Sequence, residues 1–348
     1  MVTMLPDPDY RLFDLSGNPY TIGFHLGAAT AQFTVPARWP PPPDLDFALA
    51  CEKIVADLCP SILGELRGYA DGQGIPYHDL LRGVCRRTMR LRRQMPVYPE
   101  GGCSSFAVVG PGGHSLVGRN YDFHPVQRIR QRIRLSPDEG LPSVGARGSV
   151  PGGRYDGVNA KGLFICLHVV LSDSPDDPRP GVPFHLIPRI ALETCATVRE
   201  AVDLLLHLPH LNSFNYLLAD SSGAVAVVEA HPLCVRSLDP GLTSDRRPFA
   251  AAANHFRHPD MLAFQRNRKL DHSTRRCNSL SSSVSLASLS SLCDIPPLLA
   301  DHSASVCGHR GGHTTLWSLA ADLTAREIEY APGPPCVTSF ERARWPGA

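Results

Sequence analysis

Gly101-Gly102-Cys103-Ser104-Ser105-Phe106, followed after a turn by Gly118-Arg119-Asn120-Tyr121-Asp122-Phe123, is the stretch on which the reading of this chain turns. A cysteine at a freed N-terminus carries its own base, because an α-amino group of pKa about 8 can take the thiol proton near neutral pH. Exposing that amine requires the peptide bond before Cys103 to break. Glycine at 101 and 102 lets the backbone bend until a side-chain sulfur can reach the preceding carbonyl. Ser105 to Val109 reads as a strand, Pro111-Gly112-Gly113 as a tight turn and Ser115 to Gly118 as a second strand. That return brings Arg119 and Asp122 beside Cys103, the arginine favouring a thiolate and the aspartate orienting the new amine. The plain structural reading of the same residues is a turn, a buried thiol and an Arg119–Asp122 ion pair.

Upstream, residues 1–102 read as mainly helical, with Leu49, Ile54, Leu58, Ile62, Leu63 and Leu66 at intervals of three and four. Pro40 to Pro43 interrupt the chain before that stretch, and Gly72 and Gly74 punctuate its far side. Downstream, Gly157 to Val170 reads as a turn and a buried strand, and Ile187 to Leu206 as one long helix. Phe214 to Ala219 and Ala224 to Val228 form a hairpin across Asp220-Ser221-Ser222-Gly223. Leu280, Val284, Leu286, Leu289 and Leu292 give the serine-rich 279–294 segment partial helical spacing. Strands and long helices in separate runs indicate an α+β layered architecture.

The 348 residues carry 34 basic and 33 acidic side chains, a net charge of +1, which gives no general attraction to nucleic acid or to anionic membranes. The N-terminus shows neither a basic nor an apolar signal region, and no run approaches the ~20 apolar residues that cross a bilayer. Eleven cysteines at irregular spacing, none in a CxxC pair, argue against a zinc ribbon or a disulfide framework. A cytoplasmic protein with reduced thiols is the expectation.

Taken in order along the chain, the motifs resemble the acyl-coenzyme A:6-aminopenicillanate acyltransferase family, related to choloylglycine hydrolases, penicillin V acylase and acid ceramidase. The nucleophile segment carries the resemblance. Gly17-Asn18-Pro19-Tyr20-Thr21-Ile22-Gly23 through Gly27 is similar to the family's opening motif, and Leu63 to Ala70 through Gly74-Ile75 to its pro-segment helix. Asp156 to Leu163, Asn215 to Asp220 with Glu229, Ala253-Asn254-His255-Phe256 and Thr314-Thr315-Leu316-Trp317-Ser318 resemble later signatures. The resemblance implies an αββα sandwich of the N-terminal-nucleophile hydrolase type. It also implies self-cleavage between Gly102 and Cys103, residues 1–102 becoming a small subunit that stays associated with the 103–348 catalytic domain. Carried over, Cys103 is the nucleophile, Arg119 its electrostatic partner, Asp122 the holder of the α-amino group and Asn254 an oxyanion donor. Arg276, or equally Arg275, matches a family arginine near the nucleophile. Asn215 is a substrate-binding candidate or a brace of the hairpin.

Arg128, Arg130, Arg132 and Arg134 alternate with apolar and amide residues, which puts four guanidinium groups on one strand face. Such a row is a solvated face or a holder of an anionic group. Arg82, Arg86, Arg87, Arg90, Arg92 and Arg93 form a second basic cluster. His168, inside an apolar strand, is a pocket wall or a satisfied core histidine. His255 and His258, or His309 and His313, have helical spacing, but no acidic residue stands at an HExxH-like position, so no metal site is expected. The resulting expectation is a thiol acylase or acyltransferase acting on a small acyl amide or thioester. Hydrolysis needs no cofactor, whereas acyl transfer needs a donor such as acyl-coenzyme A. A non-catalytic scaffold that keeps the fold, and a metal-dependent hydrolase, are the alternatives.

Overall fold

The structure is a computed structural model describing residues 7–31, 44–94, 102–148, 150–173, 179–266, 270–286, 288–309 and 312–348, with the backbone alone for 86–94. Pro40 to Pro43, Gly101 and the side chains of Arg86, Arg87, Arg90, Arg92 and Arg93 lie outside the described residues.

Two sheets form the centre. One has eight strands in the order β1 (Leu12–Gly17), β4 (Gln131–Pro137), β5 (Ser143–Arg147), β6 (Asp156–Asn159), β7 (Phe164–Val169), β8 (Phe214–Ala219), β9 (Val225–His231) and β10 (Cys234–Leu238). The other has seven, β11 (Gly241–Leu242), β12 (Pro248–Ala252), β2 (Ser104–Val109), β3 (Ser115–Phe123), β13 (Thr314–Asp322), β14 (Glu327–Ala331) and β15 (Glu341–Ala343). The period-two rule sorts the seven-stranded sheet's side chains. Phe106, Val108 and Leu116 face outward onto Leu280 and Val284 of α8 (Asp271–Leu286) and Ile295 and Leu299 of α9 (Ile295–Leu299). Cys103, Ala107, Val117 and Tyr121 belong to the larger core shared with the facing sheet. The far side of the eight-stranded sheet is covered by α5 (Leu186–Thr194) and α6 (Val198–His207). The layers are therefore helix, sheet, sheet, helix: the expected αββα sandwich.

The N-terminal segment holds α1 (Pro19–Thr30), α2 (Leu45–Leu58), α3 (Pro60–Gln73) and α4 (Tyr77–Gln94). Asn18 caps α1 by accepting from the Thr21 amide at 2.9 Å, with Pro19 in the first turn. α1 and α3 touch backbone to backbone. A Cβ on Gly23 or Gly27 would overlap the carbonyl oxygens of Glu65 or Tyr69, and one on Gly68 or Gly72 those of Tyr20 or Phe24. This close approach explains the glycine spacing of both motifs. The segment is also not purely helical. β1 lies parallel to β4, extended by amide bonds from Asp9 to the Arg128 carbonyl (2.7 Å) and from Arg130 to the Asp9 carbonyl (2.9 Å).

Two expectations are corrected. The single helix over Ile187 to Leu206 is two, because Cys195-Ala196-Thr197 leave helical geometry and Thr197 caps α6 by accepting from the Glu200 amide. Asp220, in the hairpin turn, takes the next free amide, Val198, at 2.8 Å. The arginine row is not a free face either. Arg130 is buried against the Gln127 carbonyl (2.9 Å) and Tyr10 Oη, Arg132 reaches Glu341 (3.3 Å), and Arg134 reaches Asp14 (3.0 Å). These guanidiniums are spent on the N-terminal segment and the opposite sheet, which leaves none of the three to gather an anion.

Candidate active site

The antiparallel register brings four strand ends to one place. The start of β2, the end of β3, the end of β12 and the start of β13 all converge there, since Ser104 pairs with Asn120, Ala252 with Ser105 and Thr315 with Asp122. Cys103 stands at the mouth of this arrangement, 4% exposed, its thiol 3.7 Å from the Asp122 carbonyl oxygen. Burial pushes the Cys103 thiol up to about 11, against the pull of Arg119 and Arg276. At neutral pH the sulfur therefore keeps its proton and needs a base.

Asp122 is buried just behind it. Its Oδ1 accepts from Thr315 Oγ1 at 2.7 Å, while its Oδ2 has no hydrogen-bond partner among the described residues. Gly308 closes over that oxygen, since a Cβ there would overlap it. Burial lifts the Asp122 carboxyl to about 7, with Thr315, Arg276 and Arg119 opposing the rise. Arg119 does not pair with Asp122. It points across to the facing sheet, its Nε 3.0 Å from Asp156 Oδ2, and burial is complete at both side chains. Asp156 is fixed in turn by Trp317 Nε1 at 2.8 Å, and Trp317 stacks on Tyr121 with centroids 4.0 Å apart. The ion-pair reading of Arg119–Asp122 is thus replaced by Arg119–Asp156.

Asn254 follows β12. Its Nδ2 donates to the Val169 carbonyl at 2.8 Å, its Oδ1 accepts from Arg276 Nη2 at 2.8 Å, and its amide donates to Ser273 Oγ at 2.8 Å. Arg276 also donates from Nε to Ser104 Oγ at 3.0 Å. Of the two candidate arginines, Arg276 is buried in the site and Arg275 is exposed on α8. Gly102 completes the group at φ 152°, a region that favours glycine. A Cβ there would overlap Asn254 Oδ1 and lie 2.8 Å from Arg276 Nη2.

The loop carrying Asn254 is held from below. Asn215 Nδ2 donates to the Ala253 and His255 carbonyls at 2.9 and 2.7 Å, gripping the residues on both sides of Asn254. Glu229 accepts from the Arg257 and His258 amides at 2.7 and 3.0 Å. Asn215 is a brace of the site loop rather than of the hairpin. His168 is fully buried, its Nε2 2.9 Å from Ser105 Oγ and its Nδ1 3.3 Å from the Asn215 carbonyl. It spans the two sheets as a strut, and burial holds it well below the usual imidazole range. The sequence reading did not single out Thr315, Asp156, Ser104 or Ser273 as site residues; only an inter-strand register or a helix face reveals them. Of the two histidine pairs, His255 bonds Ser273 Oγ at 2.7 Å and His258 accepts from the Asp260 amide at 3.2 Å.

The sequence profile of the acyl-coenzyme A:6-aminopenicillanic acid acyl-transferase family matches residues 108–334. No curated protein matches the chain. Among solved structures, the N-acylethanolamine-hydrolyzing acid amidase ortholog of Caenorhabditis elegans is similar at 15% identity and TM-score 0.49, over 64% of this chain and 93% of that one. Penicillin V acylase from Agrobacterium tumefaciens is similar at 17% identity and TM-score 0.43, over 66% and 83% of the two chains. A variant of conjugated bile acid hydrolase from Clostridium perfringens is similar at 13% identity and TM-score 0.44, over 70% and 97%. No helix of the described residues is long and apolar enough to cross a membrane.

Proposed function

Because the chain belongs to the acyl-coenzyme A:6-aminopenicillanic acid acyl-transferase family, we propose that it is an N-terminal-nucleophile enzyme that cleaves itself before Cys103 and then transfers acyl groups through that thiol. The observation that carries the reading is the seat of Gly102. The residue whose carbonyl would be attacked packs directly on the half-buried Asn254 and the buried Arg276, which are hydrogen-bonded to each other.

In the uncut chain the thiol proton passes to the Asp122 carboxylate, whose lifted pKa of about 7 suits a base near neutrality. The sulfur adds to the Gly102 carbonyl carbon, and the second N–H of Asn254 Nδ2 donates to the resulting oxyanion. Asp122 passes the thiol proton to the amide nitrogen, the C–N bond breaks so that nitrogen leaves as the Cys103 α-amine, and water hydrolyses the thioester to free the Gly102 carboxylate and the thiol. After this the α-amine, of pKa about 8, replaces Asp122 as base, and Asp122 anchors it. Arg119 and Arg276 lower the thiol's cost of ionising in a buried place. The substrate is a small acyl amide or thioester. Its acyl group passes to Cys103 and then to water without a cofactor, or to an amine when the donor is a coenzyme A thioester. The 1–102 and 103–348 pieces stay together through the β1–β4 pairing.

Intact-mass spectrometry and turnover of a panel of acyl amides test this together. Wild type should appear as two fragments ending and beginning at Gly102 and Cys103, and Cys103→Ala as one inert chain. Turnover by Cys103→Ala at the wild-type rate would sink the nucleophile assignment. An uncut yet active wild type would sink self-cleavage.

A further inference from the structure

Away from Cys103, a second group of reactive side chains meets at the surface. His302, Cys307 and His309 come from the connection between α9 and β13, and Cys336 from the loop after β14. One ligand-type atom from each lies within 4.8 Å of all the others. Cys307 Sγ is 3.6 Å from Cys336 Sγ and 3.3 Å from His309 Nε2, and His309 Nε2 is 2.9 Å from Cys336 Sγ. The rings of His302 and His309 stand 5.2 Å apart and are steeply inclined. We propose that these four residues bind one zinc ion in a closed Cys2His2 site.

The distances support that ion specifically. With Zn–S of about 2.3 Å and Zn–N of about 2.0–2.1 Å, the edges of a tetrahedron are about 3.8 Å for S···S and about 3.5 Å for S···N. The observed 3.6 and 3.3 Å approach those edges, and the 2.9 Å between His309 Nε2 and Cys336 Sγ would open by about 0.6 Å on binding. Two thiolates and two imidazoles in tetrahedral array select zinc over the hard, oxygen-seeking cations. The loop is also set in advance, since Asp301 accepts from the Ser303 and Ala304 amides at 2.8 and 3.4 Å and the Cys307 amide bonds the Asp301 carbonyl at 2.9 Å. Binding releases both thiol protons, so the loaded site is electrically neutral. All four positions are filled by protein, which makes the site structural, with no place for a reacting water.

Its location gives it a purpose. Gly308, between two of the ligands, is the residue that closes over Asp122 Oδ2, and its amide donates to Thr315 Oγ1 at 3.0 Å. A metal at the loop therefore holds the lid over the buried carboxylate from outside. The four side chains form this site whatever the chemistry at Cys103.

The test is metal analysis of the full chain produced with zinc in the medium, with a parallel cobalt(II) titration of protein stripped by chelator. Wild type and Cys293→Ser, an exposed cysteine elsewhere, should retain about one zinc per chain, and Cys336→Ser and His309→Ala less than about a tenth of that. His309 is exposed, so its variant reports on the site even if Cys336→Ser folds poorly. Cobalt should give the thiolate charge-transfer bands of a tetrahedral complex. Zinc-free wild type lacking those bands, zinc content unchanged in both ligand variants, or a Cys307–Cys336 disulfide found by mass spectrometry under reducing preparation would each overturn the proposal.

Discussion

Gly102→Ala places a methyl group where the structure has no room for one. At φ 152° the substitution carries about 1–3 kcal/mol of backbone strain. The new Cβ also overlaps Asn254 Oδ1, so Asn254 must swing away from Arg276, giving up a charge-assisted hydrogen bond of about 1.5–3 kcal/mol. The uncut variant relaxes away from this geometry at rest, so the combined cost of about 2.5–6 kcal/mol falls on reaching it during attack. At about 1.4 kcal/mol per factor of ten, self-cleavage should slow by on the order of a hundredfold or more. Cell-free translation followed by a timed denaturing gel measures the rate before any cleaved product accumulates. Cleavage of Gly102→Ala within tenfold of wild type would show that the reactive geometry is not the one seen here.

Asn254→Ala should lower turnover of already matured enzyme by on the order of a hundredfold, the usual loss of one oxyanion donor, with little change in KM. Unchanged kcat would return Asn254 to a purely structural role between Val169 and Arg276. Asp122 predicts a pH effect on the uncut Cys103→Ala chain. Its carboxyl is raised to about 7 in the folded state, so between about 4 and 7 the folded chain holds a proton that the unfolded chain has lost. Stability should fall across that window as pH rises, by at most about 1.4 kcal/mol per pH unit. Asp122→Asn should flatten the slope in denaturant melts, and parallel slopes in the two proteins would contradict the assignment.

The site was legible in the sequence where its chemistry is local. Gly102 and Cys103 directly precede β2, and Arg119 and Asp122 lie on β3 across one turn, so a single local hairpin gathers all four. The layered fold followed from the texture of strands and helices, although β1 was hidden in a segment whose helical periodicity dominates. What stayed out of reach depends on register between distant strands. Thr315 meets Asp122 only because β13 pairs with β3, and Asp156 meets Arg119 only because two sheets face each other. The choice between Arg275 and Arg276 needed the rotation of α8, which serine-rich spacing does not set. The break between α5 and α6 was missed because its cap is a threonine inside an otherwise continuous apolar stripe. The histidine–cysteine cluster was invisible for a simpler reason, as Cys336 stands beyond two further strands from His309.

The parallel seating of β1 against β4 bears on how this molecule ages. A single chain that unfolds can find its register again, because every strand is tethered to its neighbour. Scission at Gly102 would remove that tether from β1 and the helices that follow it, so refolding becomes a meeting of two molecules and depends on their concentration. The mature enzyme would then owe its lifetime to the height of its unfolding barrier rather than to an equilibrium. Each copy would fold once, as a precursor, and heat loss of activity should be reversible before maturation and irreversible after it.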